Sequence, residues 1–181
     1  MKRDREKMSD EIERIRIYGD PVLRKKAEEV TEFDGNLEDL ANCMTETMFA
    51  NESGIALAAP QIGVSRRVEI IDLTFGKEFD NVLTLVNPEI LETGDEEVIE
   101  EGCLSFPGIF EDIVRPKKIH VRYQDLNGDV KELETDTFLS RVIQHETDHL
   151  DGILFVDRLS SVKRAMLDKK LRILAKEGVI E

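Results

Sequence analysis

The run Gln144-His145-Glu146-Thr147-Asp148-His149 contains two of the chain's three histidines, four residues apart. In a helix four residues advance about 400°, so His145 and His149 project from nearly the same face and can grip one metal ion between them. Glu146 lies about 100° further round, badly placed to share the metal but suited to holding a proton taken from a water bound to it. The chemistry this HExxH spacing offers is metal-assisted hydrolysis. A hydrolytic site normally has three protein ligands and leaves one position for water. No histidine follows His149, and the acids that do, Asp151, Asp157, Asp168, Glu177 and Glu181, lie in no recognisable ligand motif. The other candidate is Cys103, in Glu101-Gly102-Cys103-Leu104-Ser105, where Gly102 permits close backbone approach and a metal would hold the thiol as thiolate. Of the remaining soft donors, Cys43 flanks a core stripe, and His120 sits on the polar side of an alternating strand. Both are assigned to structure.

The elements that must carry these residues follow from hydrophobic period. Leu37, Leu40, Met44 and Met48 recur at helical spacing within 36–52. Short β-type runs cover Arg67 to Leu73, Val82 to Asn87 before Pro88, and Glu96 to Glu101; Ile119 to Asp125 and Val130 to Glu134 flank the turn signal Asn127-Gly128. The metal-binding helix is expected to take Asp136 as N-cap, run through Phe138, Val142, His145 and His149, and stop near Gly152. A last long helix runs from about Ser160 to Lys176 with Leu167, Leu171 and Leu174 on one side. Strands cluster centrally with helices before and after, so the expected class is α+β, a mixed or mostly antiparallel sheet around a central HExxH helix with a long C-terminal helix. From Glu89 to Glu101 seven of thirteen residues are acidic and none is basic, which reads as a solvated strand face and loop.

The 181 residues, 40% of them apolar, suit one catalytic domain over 1–181, with 1–14 a charged extension in which Met8 is an alternative start. Two cysteines cannot make a disulfide framework or a four-thiolate zinc site. With 39 acidic against 25 basic side chains the net charge is −14, which argues against bulk binding of nucleic acid or anionic lipid. No stretch reaches the roughly 18 apolar residues that span a bilayer, and the first residues lack a signal-peptide hydrophobic region, so the expected location is the cytoplasm. The helix from Val162 to Lys176 departs from this balance with six basic residues and one acidic. One reading is a local contact with ribosomal RNA, and the other is a basic helix packed on an acidic body.

Three segments, Gly54-Ile55-Ala56-Leu57-Ala58-Ala59-Pro60-Gln61, Glu101-Gly102-Cys103-Leu104-Ser105 and Gln144-His145-Glu146-Thr147-Asp148-His149, occur in the order and approximate spacing of peptide deformylases. The resemblance extends over nearly the whole chain from Ile15, including Tyr18-Gly19-Asp20-Pro21-Val22-Leu23-Arg24, and is to the bacterial type with a helical carboxyl terminus. It implies removal of the formyl group from the N-terminal formylmethionine of nascent polypeptides, with release of formate. It implies Cys103, His145 and His149 as metal ligands, ferrous iron as the metal with zinc, nickel or cobalt as substitutes, and Glu146 as the proton carrier. The Gln61 side-chain amide and the Leu104 backbone N–H are the implied donors to the developing oxyanion. Ile55, Ile99, Leu104, Phe138 and Val142 match the family's methionine pocket. Gly54, with the small Ala58 and Ala59, would let the first segment lie close to the substrate backbone. Ala56 replaces a family glycine and adds a methyl to that groove, at little cost if its φ is negative. The rival readings are a zinc endopeptidase, which leaves Cys103 and Gln61 without roles, and a metal-stabilised binding domain, which leaves Glu146 without one.

Overall fold

A computed structural model describes residues 12–51, 54–74 and 82–178. Five strands, β1 (Ala56–Ala58), β2 (Val68–Ile71), β3 (Leu83–Gly102), β4 (Phe110–Gln124) and β5 (Val130–Thr135), form one sheet in sequence order, every neighbouring pair antiparallel. Three helices pack with it: α1 (Gly35–Phe49), α2 (Phe138–Leu150) and α3 (Ser161–Gly178). The class is α+β, as the clustering of strands predicts, and the sheet is antiparallel rather than mixed.

The two runs expected at Val82–Asn87 and Glu96–Glu101 are one strand of 20 residues. Pro88 does not end it, because register shifts between Val86 and Glu89 and again between Ile90 and Glu92 make a bulge there, where a missing N–H costs little. Asn87 takes a left-handed φ of 50° in that bulge, which its short polar side chain tolerates while bonding Val30 and Gln124. The β4–β5 hairpin closes over a three-residue loop with Gly128 at φ 85° and Asp125 N–H donating to Asp129 O at 3.0 Å.

Helix α1 is capped by the Asp34 carboxylate, which accepts from Asn36 and Leu37 N–H, and buries Leu37, Met44 and Met48 against Leu57, Val68 and Ile70. Helix α2 is buried along its whole length from Ser140 to Leu150. Its N-cap is Thr137 rather than Asp136, and the Thr137 hydroxyl pairs with Thr135 instead of a helix N–H. At its other end Ile153 N–H donates to Asp148 O and Gly152 N–H to His149 O, a Schellman closure with Gly152 at φ 73°. Helix α3 buries Leu167, Leu171 and Leu174 on Leu23, Phe106, Ile113 and Phe155. The expected extension over 1–14 falls mostly, with Met8, outside the described residues, but Glu13 N–H already donates to Thr47 Oγ1 at 3.0 Å, so anchoring begins before residue 14.

Candidate metal centre and active site

Helix α2 runs beneath the end of β3, and Cys103 is the first residue past that strand. A turn in which Phe106 N–H donates to Cys103 O folds the chain back, so that Cys103 Sγ lies 3.2 Å from His149 Nε2. The His145 and His149 rings stand 5.1 Å apart at 68°. One donor atom each from Cys103, His145 and His149 falls within 4.8 Å of the others, and no other such group of three occurs among the described residues. Asp151 and Asp157, the carboxylates nearest after α2, are engaged elsewhere: Asp151 by Arg67 at 2.7 Å, Asp157 by Arg24 and Arg164.

The surroundings of these donors suit a cation. His145 Nδ1 is held by Glu101 Oε2 at 3.0 Å, which leaves Nε2 as its outward donor in the arrangement that orients metal-bound imidazoles. Burial works against a charge on His145, yet its hydrogen bonds to Cys103 and Glu101 raise its pKa well above the usual histidine range. Burial, reinforced by the neighbouring His145, drives His149 well below it. Two nitrogens and a sulfur form a donor set that accepts zinc or ferrous iron alike and leaves room for a water.

Glu101 contradicts its place in a solvated acidic run, being 6% exposed. Burial would raise its pKa, but hydrogen bonds from His145 and Arg115 hold it far below the usual carboxylate range. Arg115 donates to both its oxygens, at 2.6 and 3.0 Å, and also to Asp148, which Arg158 grips in turn. Arg141 adds a further bond to Glu101 at 2.6 Å. None of these arginines is marked by local spacing; only the proximity of Glu101 to Cys103 in sequence hints at the carboxylate's part.

Glu146 lines a cleft of about 510 Å³ beside the donors. Burial pushes its pKa up to about 7, and its Oε2 is buried with no hydrogen-bond partner among the described residues. A carboxylate so placed can accept and release a proton near neutral pH, and a cation at the site draws its pKa back down. Gln61, in a 3-10 turn after β1, is fixed by Ala58 N–H donating to its Oε1 at 2.9 Å, so that its Nε2 faces Ser105 Oγ at 3.2 Å and Cys103 Sγ at 3.6 Å.

Gly54, Ile55, Ala56, Leu104, Phe138 and Val142 all line the cleft. Ile99 does not: it stands opposite Ile113 in the β3–β4 ladder, and the wall there is made by Glu100, Glu101 and Arg141. Ala58 and Ala59 are fully buried, so their small size serves packing rather than substrate approach. Gly54 is required by the end of α1, since a Cβ there would meet Met48 O at 2.5 Å. Ala56 is an ordinary strand residue, outside the positive-φ set, and its methyl costs the backbone nothing. His120 bonds Glu132 at 2.9 Å on the outer strands and belongs to no donor cluster.

This geometry can be set beside known proteins. A family model described as polypeptide deformylase matches residues 12–165. The chain belongs to the peptide deformylase family. A peptide deformylase of Thermotoga petrophila is 50% identical over 164 residues, covering 90% of this chain and 96% of the relative. One from Acidobacterium capsulatum is 46% identical over 161 residues, covering 89% and 94%. The crystal structure of a Legionella pneumophila peptide deformylase superposes with a TM-score of 0.84 at 40% identity, covering 94% of this chain and 99% of that one. Peptide deformylases are metal-dependent hydrolases that remove the N-formyl group from nascent peptides, and this chain is an enzyme of that kind rather than a zinc endopeptidase. No helix among the described residues is long and apolar enough to cross a membrane.

Proposed function

We propose that Cys103, His145 and His149 hold one divalent metal, ferrous iron in the native enzyme with zinc, nickel or cobalt able to replace it. The observation that carries this reading is the convergence of one sulfur and two imidazoles beside the buried, unpartnered Oε2 of Glu146. A divalent cation held there lowers the pKa of water and polarises a carbonyl oxygen. Glu146 takes the proton of the attacking water at its free Oε2 and passes it to the amine of the methionine. The water's oxygen adds to the formyl carbon, the C–N bond breaks, and formate and a free amino terminus leave. The Gln61 amide and the Leu104 N–H donate to the oxygen that gains charge, held in place by the Gln61–Ala58 bond and by the tight turn after Cys103. Ile55, Leu104, Phe138 and Val142 take the methionine side chain, with Gly54 and Ala56 along the peptide backbone.

An anaerobic assay on a formyl-Met peptide, following formate and peptide mass together, tests the reading. Formate release by the wild type supports deformylation, loss of that turnover with metal retained in Glu146→Gln supports the proton role, and undiminished turnover in Cys103→Ala sinks the donor set. Metal content of anaerobically purified active protein identifies the ion. The enzyme acts in the cytoplasm on formylmethionyl nascent chains. The basic helix α3 contacts ribosomal RNA, although Lys163, Arg164 and Arg172 are already paired with Glu111, Asp157 and Asp168. Because α3 is part of the core, the exposed Lys169, Lys170 and Lys176 are better reversed to Glu than the helix removed. Unchanged ribosome co-sedimentation in that variant rules the contact out.

A further inference from the structure

Arg141 stands one helical turn before His145, is 2% exposed, and yet lines the cleft between Phe138 and Val142. A buried guanidinium is costly unless most of its donors are met, and here the two terminal nitrogens are met while Nε is buried without a partner among the described residues. One terminal nitrogen donates to Glu101 Oε1 at 2.6 Å and to Ile113 O at 3.1 Å, and the other donates to Glu97 O at 3.0 Å. The side chain therefore ties α2 to both β3 and β4, and it grips Glu101 while Glu101 Oε2 holds His145 Nδ1. Arg115 cannot take over this work entirely, since it divides its own guanidinium between Glu101 and Asp148. Both terminal nitrogens are committed to the sheet and Nε is buried, so the aliphatic stem is the part of Arg141 best able to wall the cleft that this residue lines.

We propose that Arg141 is a positioning residue with two separable parts: the guanidinium fixes Glu101 against His145 and so retains the metal, while the stem completes the apolar wall of the methionine pocket. This rests on the reading of Cys103, His145 and His149 as metal donors. Loss of an outer partner of a metal-bound histidine weakens metal binding about 10- to 100-fold. Arg141 acts one bond further out with Arg115 still present, so a loss near the lower end, about 10-fold, is expected. Arg141→Met keeps most of the stem and removes the donors, Arg141→Ala removes both, and Arg141→Lys keeps a charge without the fork.

The test measures the rate of metal loss to a chelator from the metal-loaded wild type and the three variants, and kcat and KM on a formyl-Met tripeptide with metal in excess. Arg141→Met is expected to lose metal about 10-fold faster, with Arg141→Lys between it and wild type. KM is expected to rise more in Arg141→Ala than in Arg141→Met. Metal loss from Arg141→Met at the wild-type rate overturns the guanidinium's role, and a KM rise equal in the Met and Ala variants overturns the stem's. Should the Ala variant fail to fold, the Met and Lys variants decide the first point, and Arg141→Gln, with a shorter and polar stem, replaces Ala in the second. A wild-type chain that holds no stoichiometric metal overturns the donor reading itself, an outcome distinct from an Arg141→Met that holds metal as well as wild type does.

Discussion

Glu101 closes an acidic run and, as sequence, looks like Glu96 or Glu100. In the sheet Glu96 and Glu100 are exposed, while the Glu101 carboxylate is buried against Arg115, Arg141 and His145. Glu101→Gln keeps the shape but removes the charge that orients His145, and is expected to weaken metal retention about 10- to 100-fold in chelator competition. Glu69 is the converse case. It is fully buried on β2, accepts from Thr147 Oγ1 at 3.1 Å, and leaves its other oxygen without a partner. Burial first, and then the charge of Glu146, raise its pKa well above the ordinary glutamate range. The folded state therefore holds this proton to higher pH than the unfolded state does. Its contribution to stability is complete below the unfolded pKa and is lost as pH rises through the folded one. Urea unfolding across about pH 5 to 9 should show Glu69→Gln gaining on wild type as pH rises, and a difference constant with pH sinks the argument.

At the scale of elements, α2 is the piece most exposed to small changes. Its end must stop where the chain passes the Arg24 backbone, and Gly152 serves both the left-handed φ and that close approach, since a Cβ there would meet Arg24 O at 2.8 Å. Gly152→Ala is expected to cost more than about 1 kcal/mol in equilibrium unfolding, the strain of φ alone accounting for that much. The stop near Gly152 was visible in sequence because a glycine after a periodic stretch is a local signal. The cap at the other end is not legible locally: Asp136 is the better N-cap by residue type, yet β5 runs to Thr135, paired with Ile119, and the helix takes Thr137 as its cap. The long strand through Pro88 was hidden for a related reason. Proline reads as a strand breaker, and the bulge that accommodates it is made by partners on β4 and by Asn87 bridging to Val30 and Gln124.

Over the whole molecule, α3 and the metal loop share one core. Leu171 and Leu174 pack with Phe106 and Phe155, Cys103 packs against that same cluster, and the Phe155 ring stacks on His145 at 6.1 Å. Leu171→Ala is expected to cost about 2 to 5 kcal/mol in unfolding free energy and to speed metal loss in the same protein. A variant destabilised to that extent but with wild-type metal retention would show that the helix and the loop are energetically independent. The proposed donors His145 and His149, the proposed proton carrier Glu146 and the helix beneath them could be read directly from residue types, because a helical period of 3.6 brings residues four apart together wherever the helix sits, whereas Cys103 was one candidate third donor that only the family resemblance singled out. The α+β class was equally legible, since it depends on the order of local periodic segments. Strand register and burial, which depend on partners tens of residues away, decided the rest: Glu101 and Arg141 behind His145, Ile99 outside the cleft lining, and Asp151 and Asp157 drawn onto arginines. Each of those outcomes is a competition between groups for burial and charge, and it is settled only when the sheet brings the competitors together.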